Sequence, residues 1–501
     1  MRDPVLVELD DDPGTPAPQG RTGRARRRWP AALPLVVVLA LVVAQLVADA
    51  RERVRLAALA DVPGVLAPLP EPPAVAWYLA GDATDDVLVD RDVLLEERVT
   101  DRGAMSLVAH AVATGDVRWS VPLADAPDAP EPGRYGLQCV RGPGDAVTCL
   151  VHDATDGDPT NAARPPGHAA TAASVAVVEA GEVAARYPAG AGDEVAAAVG
   201  VVGDALVLAA PLDDGTAVWA LDARTGDERW RVHAATGLGG GVLRWGATTR
   251  VVPVGDDAVG VLGAGTVLLD AADGATLASA GTLATVVGAR QDGTALVVGS
   301  EGFTRLVGPA GEVRLDGVPV RVTVDDGSVP GLALTTGGGL RAWDARSGEQ
   351  RWRTDAPAQG ALLLGGLLHA HDGFRVATLD AGTGEVRWEA TAPELFHDEL
   401  ALVTHLATDG RRLLVAGSSP TTARALLVAL DPGDGLVTWR ADLAALGAPS
   451  HVEVGGGALL GVGAQGNAVL APRGRRPGHA GGRRTSQRAS RRSSAARAGV
   501  R

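Results

Sequence analysis

Two cysteines, ten histidines and a few Asp-rich turns are the residues through which this chain could do chemistry. Cys139 and Cys149 sit in YGLQCVRGPGDAVTCLV, placed symmetrically about Gly144. With residues 142–145 as a turn between antiparallel strands, the two thiols face each other within reach of a disulfide, which an extracytoplasmic compartment would oxidise. The alternative is a pair of unbonded core thiols. No metal is expected, because two cysteines ten residues apart with no histidine pair beside them do not make a tetrahedral set. His369 and His371 are the closest histidine pair, and they read as exposed loop or strand positions, not as ligands. The acidic stretches 212–215 (LDDG) and 325–327 (DDG) lack the oxygen spacing of a calcium loop and read as hairpin turns. The chain has no G-x-S-x-G elbow, no H-E-x-x-H and no phosphate-cradling glycine loop between a strand and a helix. The expectation is a protein with no catalytic residues.

The elements that hold these residues repeat. Five times the chain writes a small residue, Gly, three more residues and Trp: Gly115 to Trp119, Gly226 to Trp230, Gly348 to Trp352, Gly384 to Trp388 and Gly435 to Trp439. The clearest copies are ALDARTGDERW (220–230), AWDARSGEQRW (342–352) and TLDAGTGEVRW (378–388). Each reads as strand, turn, strand: a β-rich stretch, a Thr/Ser/Asp-Gly pair that supplies a residue able to take positive φ, and a second stretch that ends in the large aromatic. Three further turns, at Gly181, Gly274 and Gly311, keep the glycine and have lost the Trp. The eight turn glycines lie 36 to 66 residues apart, which suits one four-stranded sheet per repeat and not a helical solenoid. The fold class is therefore all-β, a propeller of seven or eight four-stranded blades, with eight preferred. Five of the ten Trp residues fall in one motif of a chain that is 3% aromatic, so their first role is to bury a large area between blades.

The L-D-A-x-T-G-x-x-x-W pattern resembles the PQQ-like, quinoprotein-type (BamB-like) β-propeller repeat, over roughly residues 76–470. The resemblance implies that the turn joins the third and fourth strands of a blade and that the Trp docks one blade on the next. It also implies what a quinoprotein dehydrogenase of this kind would need: adjacent cysteines over the cofactor, an Asp base and a calcium-holding carboxylate/amide set. This chain has no adjacent cysteines, so no cofactor is expected, PQQ included.

The ends set the compartment. Residues 1–29 are polar and close on Arg24, Arg26, Arg27 and Arg28 just before PAALPLVVVLALVVAQLVA (30–48), which carries no charge. About 20 apolar residues cross a bilayer as one helix, and a basic flank marks the cytoplasmic side. Residues 30–50 thus read as a single-pass signal anchor with the rest of the chain outside. A cleaved leader, ending in the small-x-small pattern of Ala48-Asp49-Ala50, is the alternative. Residues 51–75, with RERVRLAAL and then LAPLPEPPA, read as a short helical stalk followed by an extended Pro-rich linker, and 76–471 as the propeller.

The tail 472–501 carries ten Arg and no acid, and reads either as a low-complexity disordered tail or as a frameshifted end. The chain's formal charge is −14; setting aside those ten arginines, with six Arg against six acids cancelling in 1–50, leaves −24 for 51–471. So acidic a body argues against nucleic acid as a partner.

The functional expectation is a membrane-anchored extracytoplasmic propeller that binds or scaffolds a protein or other cell-envelope partner. The alternative is a PQQ-dependent quinoprotein oxidoreductase. The sensor half of a signalling protein is a third option, with a cytoplasmic segment too short for an output domain.

Overall fold

The computed structural model describes residues 32–472, apart from 61, 80–86, 91, 101, 127–134, 143, 155–169, 192–193, 213–214, 235–248, 256, 263–265, 281–285, 290–294, 299–301, 309–310, 357, 456 and 465. The basic leader 1–29 and the tail from 473 onward lie outside the described residues, as does the acidic pair of the LDDG turn. The chain divides into two compact units, residues 1–57 and residues 58–501.

In the first unit one helix runs over Ala32–Leu59, its last two residues lying in the second unit. It does not stop at residue 50, because the Arg-, Glu- and Ala-rich stretch RERVRLAAL continues the good helix formers that precede it. Among the described residues no helix is long and apolar enough to cross a membrane, so the anchor expected over 30–50 is not met there.

The second unit is all-β. Its described strands form nine sheets of four or five strands, with one two-stranded ribbon beside them. In chain order the sheets cover residues 87–124, 135–188, 198–234, 250–280, 286–316, 318–354, 360–391, 402–442 and 450–472. In the first eight the strands are laid down in antiparallel sequence order. The seventh gains a fifth strand, Arg321–Asp325, which leaves the edge of the sixth sheet and pairs in parallel with Gly360–Leu364. In the ninth sheet three strands come from the C-terminal part, and Pro73–Tyr78 joins them antiparallel to Gly466–Pro472.

Each sheet is covered on both faces, so apolar residues alternate between two seams and not between core and water. Nine apolar clusters occupy these seams. Leu107, Cys149 and Ala176 lie between the first and second sheets, and Val175, Leu206 and Trp219 between the second and third. Val207, Val218 and Val259 fill the next seam, and Leu268 with Val307 the one after it. Leu306 and Trp343 join the fifth to the sixth, Leu340 and Leu368 the sixth to the seventh, Leu362 and Val415 the seventh to the eighth, and Leu414 and Leu459 the eighth to the ninth. Leu94 against Leu460 closes the cycle from the ninth sheet back to the first.

Two expectations change. The eight turn glycines each mark a sheet, but a ninth sheet exists that they could not count, because its third and fourth strands come from opposite ends of the chain and share no turn. Residues 62–69, expected within an extended linker, are packed on the sheets with the end of the helix: Leu59, Leu66 and Leu69 are buried in two of the seams, and the first strand begins at Pro73.

Candidate functional site

The motif residues come together at the seams. Gly226, Gly274, Gly384 and Gly435 all have φ between +73° and +75°, the left-handed region the turn requires. A Cβ on Gly384 would fall 2.7 Å from the Trp352 ring, and one on Gly435 would fall 2.7 Å from that of Trp388. Gly274 stands in the same way against Trp230, Gly181 against Trp119 and Gly226 against Tyr187. The glycine is therefore needed twice, for its φ and for the aromatic of the preceding sheet that lies on it. The indole N–H groups complete the docking: Trp230 Nε1 donates to Ala271 O at 2.9 Å, Trp352 to Ala381 O at 2.9 Å and Trp388 to Pro432 O at 3.0 Å. Gly348 receives Val313 and Leu315 in place of an aromatic, and Gly311 has no neighbour within 4 Å of its notional Cβ.

The turn aspartates hold the loops that present these glycines. Asp222 accepts backbone hydrogen bonds from Arg224 and Thr225 at 2.9 and 3.0 Å and an ion pair from Arg229 at 2.6 Å. Asp344 does the same with Arg346, Ser347 and Arg351, and Asp380 with Gly382, Thr383 and Arg387. The Arg229 guanidinium, with the two amides, holds the Asp222 carboxyl down to about 2; Arg351 acts likewise on Asp344 and Arg387 on Asp380. Asp325 and Asp326 cap the amides of Gly327 and Ser328, but this DDG segment is not the expected hairpin turn: it links Arg321–Asp325 of the seventh sheet to Leu332–Thr336 of the sixth, and those two strands do not pair.

Cys139 and Cys149 are paired residues of adjacent strands in the second sheet, joined by a disulfide and buried against the first. Glu97 of the first sheet accepts the Cys139 amide at 2.7 Å. The neighbouring Glu96 pairs with His110 Nε2 at 2.7 Å and Arg98 at 2.9 Å, and His110 stacks on Trp77 with ring centroids 5.4 Å apart. Trp77 itself lies on Gly115 and donates to Val112 O at 2.9 Å. The repeat pattern missed Trp77 because its strand has no turn glycine before it.

The His369/His371 pair is not exposed. Both side chains lie in the buried seam between the seventh and eighth sheets, because residues two apart on a strand share a face and that face meets the next sheet. His369 Nδ1 meets Thr378 Oγ1 at 2.6 Å, while His369 Nε2 and His371 Nδ1 have no hydrogen-bond partner among the described residues. Burial pushes each ring down to about 4, with nearby His405 adding to the effect on His371. Burial, reinforced by Arg321 and opposed by Glu453, lowers His405 as well. His369 is 0% exposed, so no dissolved substrate reaches it in this conformation. Among the described residues no three His, Cys, Asp or Glu side chains converge as a metal-holding group.

A family model described as outer membrane protein assembly factor BamB, of the PQQ repeat type, matches residues 214–449 and again 374–471, together just over half of the chain. The chain belongs to this family. The match begins at the third sheet, although the same docking geometry is present at Trp77 and Trp119. Serine/threonine-protein kinase AfsK of Streptomyces coelicolor is 37% identical over 71 residues, 13% of this chain and 9% of the kinase. This chain thus spans less than a tenth of that relative's length. Among solved structures, BamB from Moraxella catarrhalis is 19% identical and aligns over 61% of this chain and 92% of its own, with a TM-score of 0.35. Quinohemoprotein alcohol dehydrogenase ADHIIG from Pseudomonas putida HK5 is 12% identical over 78% of this chain and 72% of its own, with a TM-score of 0.37.

Proposed function

We propose that this BamB-family propeller is a non-catalytic binding or scaffold module for a cell-envelope partner, outside the cytoplasm and held at the membrane by its N-terminal apolar helix. The observation that carries the reading is the employment of the motif residues. In the well-formed copies the Trp, turn Asp and turn Gly are engaged in docking one sheet on the next, so the repeat supplies surface and not reacting groups. The family description, an assembly factor, points the same way.

Three features support the placement. Val37, Val38, Leu39, Leu41, Leu46 and Val47 are all exposed on the helix, an apolar surface that a bilayer would cover. The arginines ahead of it would stay in the cytoplasm. The disulfide suits an oxidising compartment. No cofactor is assigned, PQQ included. Two experiments test the reading. Full-length protein mixed with PQQ and calcium should develop no bound-quinone absorbance and reduce no electron acceptor with alcohols; turnover there would establish the oxidoreductase instead. After alkaline carbonate extraction the full chain should stay with the membranes, and its release would remove the anchor.

A further inference from the structure

In the first eight sheets a turn joins the third strand to the fourth, and in most of them its glycine and carbonyl receive the aromatic of the sheet before. The ninth sheet has no such turn, yet Trp439 of the eighth sheet is buried and docked. Its Nε1 donates to Leu69 O at 3.2 Å, so Leu69 supplies the carbonyl that Ala271 and Ala381 supply elsewhere. Residues 62–69, with Leu59 before them, reach this position as a strap along three sheets. Leu59 and Val65 enter the seam between the seventh and eighth sheets, and Leu66 and Leu69 the seam between the eighth and ninth. A Cβ on Gly64, at φ +86°, would lie 2.9 Å from Thr323 O of the seventh sheet. Leu66 N donates to Thr408 O at 2.8 Å.

The fastening is Asp409, whose side chain is 0% exposed. One carboxylate oxygen caps its own turn through Arg411 N at 2.9 Å and Arg412 N at 2.7 Å; the other accepts Leu69 N at 2.9 Å and Arg412 at 3.1 Å. A buried carboxylate divided between its own turn and a segment 340 residues away holds that segment firmly, since removing it leaves the buried Leu69 amide without its acceptor. The strap runs directly from the last residue of the N-terminal helix to the outer strand of the ninth sheet.

We propose that residues 62–69, with Leu59, are a latch that holds the last three sheets of the ring together. Loosening the latch acts on the seventh, eighth and ninth sheets before it acts on the other six. The latch stands on the strap's own contacts and does not depend on the scaffold reading. Hydrogen exchange on the full-length protein tests it. Asp409→Ala should lower the protection of Leu66, Leu69 and strands 450–472 by roughly ten- to a hundredfold and leave sheets one to four unchanged. Gly64→Ala, which strains the strap from the seventh-sheet side without touching the Asp409 turn, should give the same pattern. If Gly64→Ala leaves 450–472 fully protected, or loosens all the sheets alike, the latch is overturned.

Discussion

Gly384 and Gly203 both have positive φ, +75° and +58°, but only at Gly384 does the space for a Cβ hold an indole. At Gly203 nothing lies within 4 Å, so Gly203→Ala should cost only the conformational penalty, about 1 kcal/mol. Gly384→Ala must also displace Trp352, and equilibrium denaturation should show at least about twice that loss. Trp352→Ala should cost about 3–5 kcal/mol, and Trp352→Phe about 1 kcal/mol for the hydrogen bond to Ala381 together with a packing loss. These glycines and Trp residues were legible in the sequence because a left-handed turn followed at fixed distance by a large aromatic is a pattern of residue types. Tyr187 and the Val313/Leu315 pair stand in for the aromatic with no pattern to mark them.

The seam histidines give a residue-scale prediction in pH. His369 and His371 titrate near 6.5 in an unfolded chain and near 4 when buried, so the unfolded state binds the proton first. Their neutral burial therefore supports the fold fully above about pH 6.5, and that support is lost as pH falls towards 4. The loss is on the order of 3 kcal/mol per histidine. Urea midpoints should fall through this window, and His369→Leu should make the fall smaller without abolishing it, since His371 and His405 are lowered by burial as well. The turn aspartates, with Asp222 held near 2, act only at lower pH. The burial of the pair was not legible, because alternation along a strand covered on both faces separates two seams and says nothing of exposure.

At the scale of elements, the hairpin that carries Cys139 and Cys149 could be read from its glycine-centred turn and equal spacing, and the structure pairs the two residues across it. Reduction should destabilise the protein by about 2–3 kcal/mol, visible as a lower thermal midpoint with reductant that the Cys139→Ala/Cys149→Ala double variant no longer shows. The ninth sheet and the strap were hidden for a common reason. Periodicity sees segments that are close in sequence, whereas Pro73–Tyr78 meets Gly466–Pro472 and Leu69 meets Trp439 across nearly the whole chain. The Pro-rich stretch before the first strand looked like a spacer because Pro68 and Pro70 interrupt any helix or strand, so the two anchoring leucines, Leu66 and Leu69, belong to no regular element that a periodicity could mark.

Over the second unit, a closed cycle of seams joins the nine sheets, and an excess of acid keeps the surface of the ring solvated. The fold class was legible from eight turns; the partner was not, because the residues that repeat are those that face neighbouring sheets. We propose that the ring holds a cell-envelope partner and performs no chemistry. The most direct measurement of this is crosslinking in intact cells from photoreactive residues placed around the exposed rim of the full-length protein, followed by identification of what is captured. The account predicts one envelope protein or assembly captured repeatedly from neighbouring rim positions and lost when those positions are charge-reversed. Capture that is no greater than from a buried seam position would contradict it.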